Sequence, residues 1–145
     1  MTLNNVTINN CDWYAVANNG SNLIVNGLTT NGNAWGINLD NNATATINNA
    51  NISETSSIVY ENGEGGGSLT VNGGPFQNVV VQAEEEGDAC GGRIDLKGGS
   101  FIDITTSGQG TYNDTGIVNV SGGTYQNLMR VSEILSGQRL GDGAL

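Results

Sequence analysis

The fold is decided by the segment Leu69-Thr70-Val71-Asn72-Gly73-Gly74-Pro75-Phe76, in which apolar and polar residues alternate before a Gly-Gly pair. The same pattern returns in Ile94-Asp95-Leu96-Lys97-Gly98-Gly99-Ser100-Phe101 and in Val118-Asn119-Val120-Ser121-Gly122-Gly123-Thr124-Tyr125. Alternation with a period of two is typical of a β-strand with one buried face. Because Gly adopts backbone conformations that other residues avoid, each strand is predicted to end at a sharp corner.

Shorter forms of the pattern precede these segments. They are Val6-Thr7-Ile8-Asn9-Asn10, Leu23-Ile24-Val25-Asn26-Gly27 and Ala45-Thr46-Ile47-Asn48-Asn49. When Ile8, Val25, Ile47, Val71, Leu96 and Val120 are taken as equivalent, successive copies are separated by about 17–25 residues, a solenoid-like period. In a solenoid each coil stacks on the next at about 4.8 Å.

Two further positions recur in every copy. Asn or Gly occupies the position that should turn each coil through a left-handed corner, because both residues tolerate a positive φ. Three residues later comes a set of mostly bulky side chains that we expect inside the solenoid. The predicted corners are Asn10, Gly27, Asn49, Gly73, Gly98 and Gly122, and the bulky set is Trp13, Thr30, Ile52, Phe76, Phe101 and Tyr125.

Asparagine is concentrated in the first part of the chain. Of the 22 Asn residues in the sequence, seventeen lie before residue 63. Stacked Asn amides can hydrogen-bond from one coil to the next. We therefore expect these residues to serve the scaffold.

The repeat resembles that of right-handed parallel β-helix proteins, the architecture of pectin-lyase-like proteins and of many bacterial surface proteins. The corners at 98–101 and 122–125 resemble the Gly-Gly-Thr-Phe type of repeat in secreted or surface β-helices. The resemblance implies an all-β chain that forms about six coils, or rungs, each as long as one repeat. Residues 1–131 are predicted to form one solenoid domain and 132–145 a tail or partial cap. A β-sandwich of short strands is the alternative.

Charge and composition exclude several classes of function. The chain has 14 acidic and 4 basic residues, a net charge of −10 and no His. This balance argues against nucleic acid and anionic membranes, which need clustered cations. Without His, neither a Ser-His-Asp site nor a His-ligated zinc can form. No apolar run is long enough for a membrane span, and the first residues predict no signal peptide.

The cysteines Cys11 and Cys90 lie several predicted coils apart. A disulfide requires Cα atoms within about 4.4–6.8 Å of each other. We therefore expect two free thiols, with Cys11 buried near the first corner.

The largest acidic cluster is Glu84-Glu85-Glu86-Gly87-Asp88. Carboxylate oxygens suit Ca²⁺, so Glu84, Glu85, Glu86 and Asp88 are the candidate metal ligands. The alternative is a solvated acidic loop that keeps one edge of the solenoid soluble. No other cofactor is expected.

An enzyme of the polysaccharide lyase kind would need a cationic base. The basic residues nearest to the acidic cluster in the sequence are Arg93 and Lys97, which makes them the candidates for such a base. The alternative for Lys97 is that it forms ordinary surface ion pairs with Asp95 and Asp103. Hydrolases of the β-helix family that this repeat resembles use paired Asp residues together with a His. This sequence contains no such motif. We predict no catalytic residue.

Aromatic residues offer another kind of site, because an apolar ring can stack on the C–H face of a sugar. Core packing is the alternative for most of them, and Tyr112, in a polar loop, is the candidate for a ligand-binding role. The aromatic residues considered are Trp13, Tyr14, Trp35, Tyr60 and Tyr112.

The function expected from this architecture is that of a non-enzymatic structural or adhesive module, extracellular or on a cell surface. Its partners would be further copies, stacked end to end into a fibre, or the continuation of a longer solenoid. The alternative function is a polysaccharide-binding or polysaccharide-cleaving β-helix with Ca²⁺ at its acidic edge. No nucleic acid partner and no membrane insertion are expected.

Overall fold

The computed structural model describes residues 1–62, 66–83, 91–108, 117–127 and 139–140. Within these ranges every regular element is a β-strand. In chain order the strands are β1 (Thr2–Leu3), β2 (Val6–Asn9), β3 (Tyr14–Asn19), β4 (Asn22–Val25), β5 (Leu28–Asn31), β6 (Trp35–Asp40), β7 (Thr44–Ile47), β8 (Asn51–Ile52), β9 (Ile58–Tyr60), β10 (Ser68–Val71), β11 (Pro75–Ala83), β12 (Arg93–Leu96), β13 (Ser100–Gly108), β14 (Ile117–Val120), β15 (Thr124–Tyr125) and β16 (Arg139–Leu140).

The strands form three parallel sheets that make up the sides of a solenoid. Sheet A has the order β1-β4-β7-β10-β12-β14-β16, sheet B the order β2-β5-β8, and sheet C the order β15-β13-β11-β9-β6-β3. All pairings between neighbours are parallel. The predicted all-β solenoid is therefore confirmed. About four turns lie within the described residues, whereas six coils are predicted. Part of each coil after Asn62 lies outside the described residues.

Apolar ladders, rows of equivalent residues from successive coils, fill the interior. One ladder in sheet A joins Val25, Ile47, Val71, Leu96 and Val120, each at most 2 % exposed. Its counterpart in sheet C joins Val16, Ile37, Ile58, Val79 and Ile104. Since parallel strands in register place like side chains above one another, the alternating pattern alone generates this core.

The first coil begins earlier than the sequence alignment predicts. The equivalent of Val25 is Leu3, whereas Ile8 pairs with Thr30 in sheet B. Leu3-Asn4-Asn5 and Ile8-Asn9-Asn10 fit the pattern equally well, so the sequence leaves two choices and the alignment took the wrong one. With the correct pairing, Leu3 and Val25 are as far apart in the chain as Val25 and Ile47, and the short first interval disappears.

The six predicted corner residues all lie between consecutive strands, but only Asn10 has a positive φ, of 59°. The prediction of left-handed backbone at the other five is wrong. In the Gly-Gly corners the second residue takes this role, as at Gly74, where φ is 127°. The first glycine serves close packing instead, since a Cβ on Gly98 would lie 2.2 Å from the carbonyl oxygen of Asn72 in the preceding coil.

The bulky set is split between the inside and the outside of the solenoid. Phe76, Phe101 and Tyr125 stack inside, with ring centroids 5.1 and 5.2 Å apart. Trp13, predicted to lie inside, is 64 % exposed. The reason is the misplaced first coil: Thr30 of the bulky set pairs with Ile8, so Ile8 and not Trp13 holds this position in the first coil.

Candidate functional site

Two features of the first coils stand out as candidate sites. One is the first-coil edge, formed by the free sides of β1, β2 and β3, each of which is the last strand of its sheet. The other is the aromatic cluster of Trp13, Tyr14 and Trp35, at the corner between sheets B and C.

The first-coil edge leaves apolar side chains incompletely covered. Leu3, Val6 and Ile8 pack against the core but are only partly buried. Their partners in the second coil, Val25, Leu28 and Thr30, are at most 2 % exposed. The same ladder positions are thus covered wherever a coil lies on both sides and open where it does not.

Backbone groups are also available along this edge. The amides of Val6 and Asn10 donate to the carbonyl oxygens of Gly27 and Asn31 in the second coil, at 3.0 and 3.2 Å. Because N–H groups of a strand point alternately to its two sides, those of Thr7 and Asn9 point away from the second coil. A strand edge of this kind is a template for another parallel strand.

The aromatic cluster is closely packed within itself. Its ring centroids lie 5.8 Å apart for Trp13 and Tyr14, 5.4 Å for Trp13 and Trp35, and 5.2 Å for Tyr14 and Trp35. Trp13 meets both neighbours nearly edge to face, at 86° and 77°. Such contacts each stabilise by about 0.5–1.5 kcal/mol beyond burial, so the rings support one another.

A polar network behind the cluster holds the two tryptophan-bearing segments together. The side-chain amide of Asn33 donates to the Glu54 carboxylate at 2.7 Å and to the carbonyl oxygen of Ile8 at 3.0 Å. Its amide oxygen accepts a hydrogen bond of 2.9 Å from the backbone of Cys11. Asn33 therefore ties the segment before Trp35 to the segment before Trp13.

Glu54 anchors this network from the third coil. Its side chain is buried, and it accepts hydrogen bonds from the Thr30 hydroxyl and from both the side chain and the backbone of Asn33. Burial is the largest effect and raises the pKa of the carboxyl, but these hydrogen bonds together outweigh it, so the pKa lies below the ordinary value. Glu54 is thus a buried carboxylate that stays ionised at neutral pH.

The sequence did not predict the roles of Asn33 and Glu54. One signal was present: Glu54 is the only charged residue between Asp40 and Glu61, in a segment dominated by neutral residues. Its burial follows from the contact between three coils, which no local pattern records.

Asparagine amides also stack, as the composition indicates. Asn26 donates to Asn4, Asn48 to Asn26 and Asn72 to Asn48, over 2.7 to 2.8 Å. The prediction of hydrogen-bonded amides between coils is confirmed, although these residues precede the corner instead of occupying it. We call this row the asparagine ladder.

Arg93 and Lys97 lie at the two ends of β12. Arg93 donates to Asp95 at 2.7 Å, and Lys97 is exposed at the following corner. Burial raises the pKa of Asp95, but hydrogen bonds from Arg93 and Asn119 and the charges of Arg93 and Lys97 together lower it. These contacts are those of an ordinary surface ion pair.

Several predicted site residues lie outside the part of the chain that the structure describes. These are Cys90, Glu84, Glu85, Glu86, Asp88 and Tyr112. Among the described residues, no group of three or more Cys, Asp or Glu side chains is placed to hold a metal ion.

Cys11 and Tyr60 fall within the described ranges. Cys11 is a free thiol, as predicted, although it is half-buried instead of fully buried.

Tyr60 is completely buried and donates its hydroxyl to the carbonyl oxygen of Gly91 at 2.9 Å, so it belongs to the core. Core packing thus accounts for Tyr60 but not for Trp13 and Trp35.

Comparison with protein-family models, with curated proteins and with solved structures finds no match for this chain. In the described ranges, no helix has the length and apolar character needed to cross a membrane. The candidate sites therefore rest on their own geometry.

Proposed function

We propose that the chain is a non-enzymatic structural β-solenoid module that assembles by stacking its first coil on a coil of a second copy. The observation that carries this proposal is the contrast between the partly buried Leu3, Val6 and Ile8 and their fully covered equivalents in the second coil. Another coil would cover these side chains in the same way.

Hydrogen bonding supports the same assembly. The outward N–H groups of Thr7 and Asn9 would find carbonyl partners in an added strand, as those of Val6 and Asn10 do in the second coil. Contact between opposite ends of two copies leaves each with a free end, so repeated contacts of this kind build an open fibre.

The proposal also covers the class of solenoid, its biological function and its location. It includes the right-handed pectin-lyase-like class, supported by the Gly-Gly corners that precede Phe101 and Tyr125. It also includes an adhesive function and a location outside the cell or on its surface, which rest on the resemblance alone.

The test measures the mass of particles in solution by light scattering at protein concentrations from about 1 μM to about 1 mM, with and without EDTA. We expect mass to rise with concentration and to be unaffected by the chelator. Particles that remain monomeric throughout, or whose assembly depends on Ca²⁺, would contradict the proposal.

A variant pair locates the contact. Thr7→Pro removes an N–H that points away from the second coil, and proline is tolerated on the free side of an edge strand. Thr7→Val keeps this N–H and is the control. We expect Thr7→Pro to weaken association at least about tenfold, because a tenfold change corresponds to little more than the energy of one hydrogen bond. Thr7→Val should leave association unchanged. Equal association of both variants would exclude the first-coil edge.

A further inference from the structure

The aromatic cluster exposes apolar side chains to solvent. Among the described residues, the large apolar side chains that are exposed are Met1, Trp13 and Trp35. Two of the three lie in one cluster, with Trp13 64 % and Trp35 36 % exposed. Exposed apolar groups that lie together mark interaction sites, whereas isolated ones need no explanation.

The spacing of the rings restricts the kind of ligand. Centroids 5.2 to 5.8 Å apart place the three rings in direct contact, which leaves no room for a group between them. An aromatic cage around a methylated ammonium group needs such room. The surface offered to a ligand is therefore the outside of the tryptophan rings. Since these two rings are inclined at 77° to each other, a flat partner stacks on one of them and contacts the other at an angle.

Charge restricts the ligand further. Residues 1–62 contain no Lys or Arg, and their charged side chains are Asp12, Asp40, Glu54 and Glu61. Acidic polysaccharides and nucleic acids need cations near their carboxylates or phosphates. The flat partner should therefore carry no negative charge.

Hydrogen-bonding residues occur in the corner segment that carries Trp13. Asp12 immediately precedes Trp13 and is exposed, and Asn10 is exposed in the same corner segment. A carboxylate accepts hydrogen bonds and an amide both donates and accepts them, which is the set that sugar hydroxyls use. An apolar face flanked by such groups matches a pyranose ring, which is apolar on its C–H face and polar at its rim.

The site is held in place before any ligand arrives. The Asn33 and Glu54 network fixes the two corner segments that carry the tryptophans. A preformed platform loses less side-chain freedom on binding, which favours affinity for a small ligand.

We propose that Trp13, Tyr14 and Trp35 form a stacking platform that binds the sugar rings of a neutral polysaccharide. This site differs from the calcium-dependent one predicted at the acidic loop, and it does not depend on the stacking of coils. The alternative occupant is a second copy of the chain, because Trp13 and Tyr14 lie in the first coil.

Tryptophan fluorescence tests the proposal, because the chain has 2 Trp and both lie in the cluster. The probes are cellohexaose, laminarihexaose and mannohexaose, with hexagalacturonate as the acidic control. We expect at least one neutral hexasaccharide to change the emission in a saturable manner, and hexagalacturonate to bind at least about tenfold more weakly. No saturable change with any neutral probe up to about 10 mM, or equal binding of hexagalacturonate, would overturn the proposal.

Variants assign the binding to the rings, measured by calorimetry so that loss of a tryptophan does not affect the signal. Trp13→Ala and Trp35→Ala should each weaken binding about tenfold, the size of one aromatic stacking contact, whereas Trp13→Phe should keep most of it. Met1→Ala removes the exposed apolar residue outside the cluster and should have no effect. Thermal unfolding of each variant confirms that it is folded.

The same measurements distinguish sugar binding by the cluster from contact between two copies. They also show whether the platform proposal and the assembly proposal hold or fail separately. An emission change that follows protein dilution but not added sugar would assign the cluster to contact between copies and overturn the platform. If the wild-type chain assembles, and Thr7→Pro assembles more weakly but still binds the sugar, both proposals hold. If the wild-type chain is monomeric and binds the sugar, the assembly proposal fails and the platform stands.

Discussion

The first three coils and the later ones turn the same corner in different ways. In residues 1–62 a short strand of sheet B lies between sheets A and C, as β5 does between β4 and β6. After β8, sheet B has no further strand in the described ranges, and β10 leads through Gly73 and Gly74 directly into β11. The two halves therefore share sheets A and C and differ at one side of the solenoid.

The difference extends to the aromatic residues. In the later coils Phe76, Phe101 and Tyr125 stack inside, whereas in the first two coils Trp13 and Trp35 lie outside. One repeat can thus direct its aromatic residues to the core or to a site.

Corner substitutions should affect the two halves very differently. Gly74→Val places a β-branched side chain at a φ of 127°, with its Cβ 2.1 Å from the carbonyl oxygen of Ala50. Strain and overpacking together should lower the free energy of unfolding by about 5 kcal/mol. Urea denaturation measures the loss.

The matched control is Asn49→Val in the Asn-rich half. Asn49 is exposed and has no positive φ, so the change should be within about 0.5 kcal/mol. Equal losses for the two variants would restore the sequence-based interpretation, in which both halves turn at a left-handed residue.

Removal of one aromatic ring should lower the free energy of unfolding more in the inner stack than in the exposed aromatic cluster. Phe101→Ala leaves a cavity in the middle of the inner stack and should cost about 4 kcal/mol of unfolding free energy. Trp13→Ala loses two ring contacts at a side chain that is 64 % exposed, so it should cost less, about 1–2 kcal/mol. Thermal unfolding followed by circular dichroism compares the two, and a larger loss for Trp13→Ala would mean that the cluster is structural.

Acid should weaken the first half through Glu54. Its pKa in the folded chain is below the ordinary 4.5, so folding favours the ionised form. This contribution is complete above pH 4.5 and is lost as the pH falls through the lower folded pKa. Glu54→Gln, which cannot ionise, should therefore cost about 2 kcal/mol at pH 7 and progressively less below pH 4.5.

Urea denaturation of both proteins from pH 7 to pH 3 measures this difference. A gap between wild type and variant that stays constant with pH would show that the carboxylate charge makes no contribution.

The asparagine ladder should make the smallest contribution. Asn48→Ala breaks hydrogen bonds to Asn26 and Asn72 at an exposed position, which should cost about 1 kcal/mol. Lys97→Ala, at the equivalent position of a later coil, should be neutral within about 0.5 kcal/mol. If urea denaturation gives the same value for both variants, the amides do not stabilise the stack.

The sequence predicts the solenoid because every coil repeats the rule that places its side chains. Leu69-Thr70-Val71 and Ile94-Asp95-Leu96 alternate in the same way, and parallel strands in register convert this alternation into a ladder. The first coil was misplaced because Leu3-Asn4-Asn5 and Ile8-Asn9-Asn10 fit the pattern equally, and only pairing with the second coil distinguishes them.

The candidate sites were less predictable, because they depend on contacts between coils. Trp13 and Trp35 belong to different coils and become neighbours only when Tyr14 pairs with Trp35. The corner glycines show the same limit: the sequence reveals that Gly is needed at 98, but only the carbonyl oxygen of Asn72 shows that the reason is close packing.

Hydrogen exchange along β2 tests the proposed assembly most directly. The amides of Thr7 and Asn9 point away from the second coil, whereas those of Val6 and Asn10 pair with it. We predict that exchange at Thr7 and Asn9 slows as protein concentration rises, while exchange at Val6 and Asn10 changes much less. Fast exchange at Thr7 and Asn9 that is independent of concentration would contradict the assembly of this solenoid through its first coil.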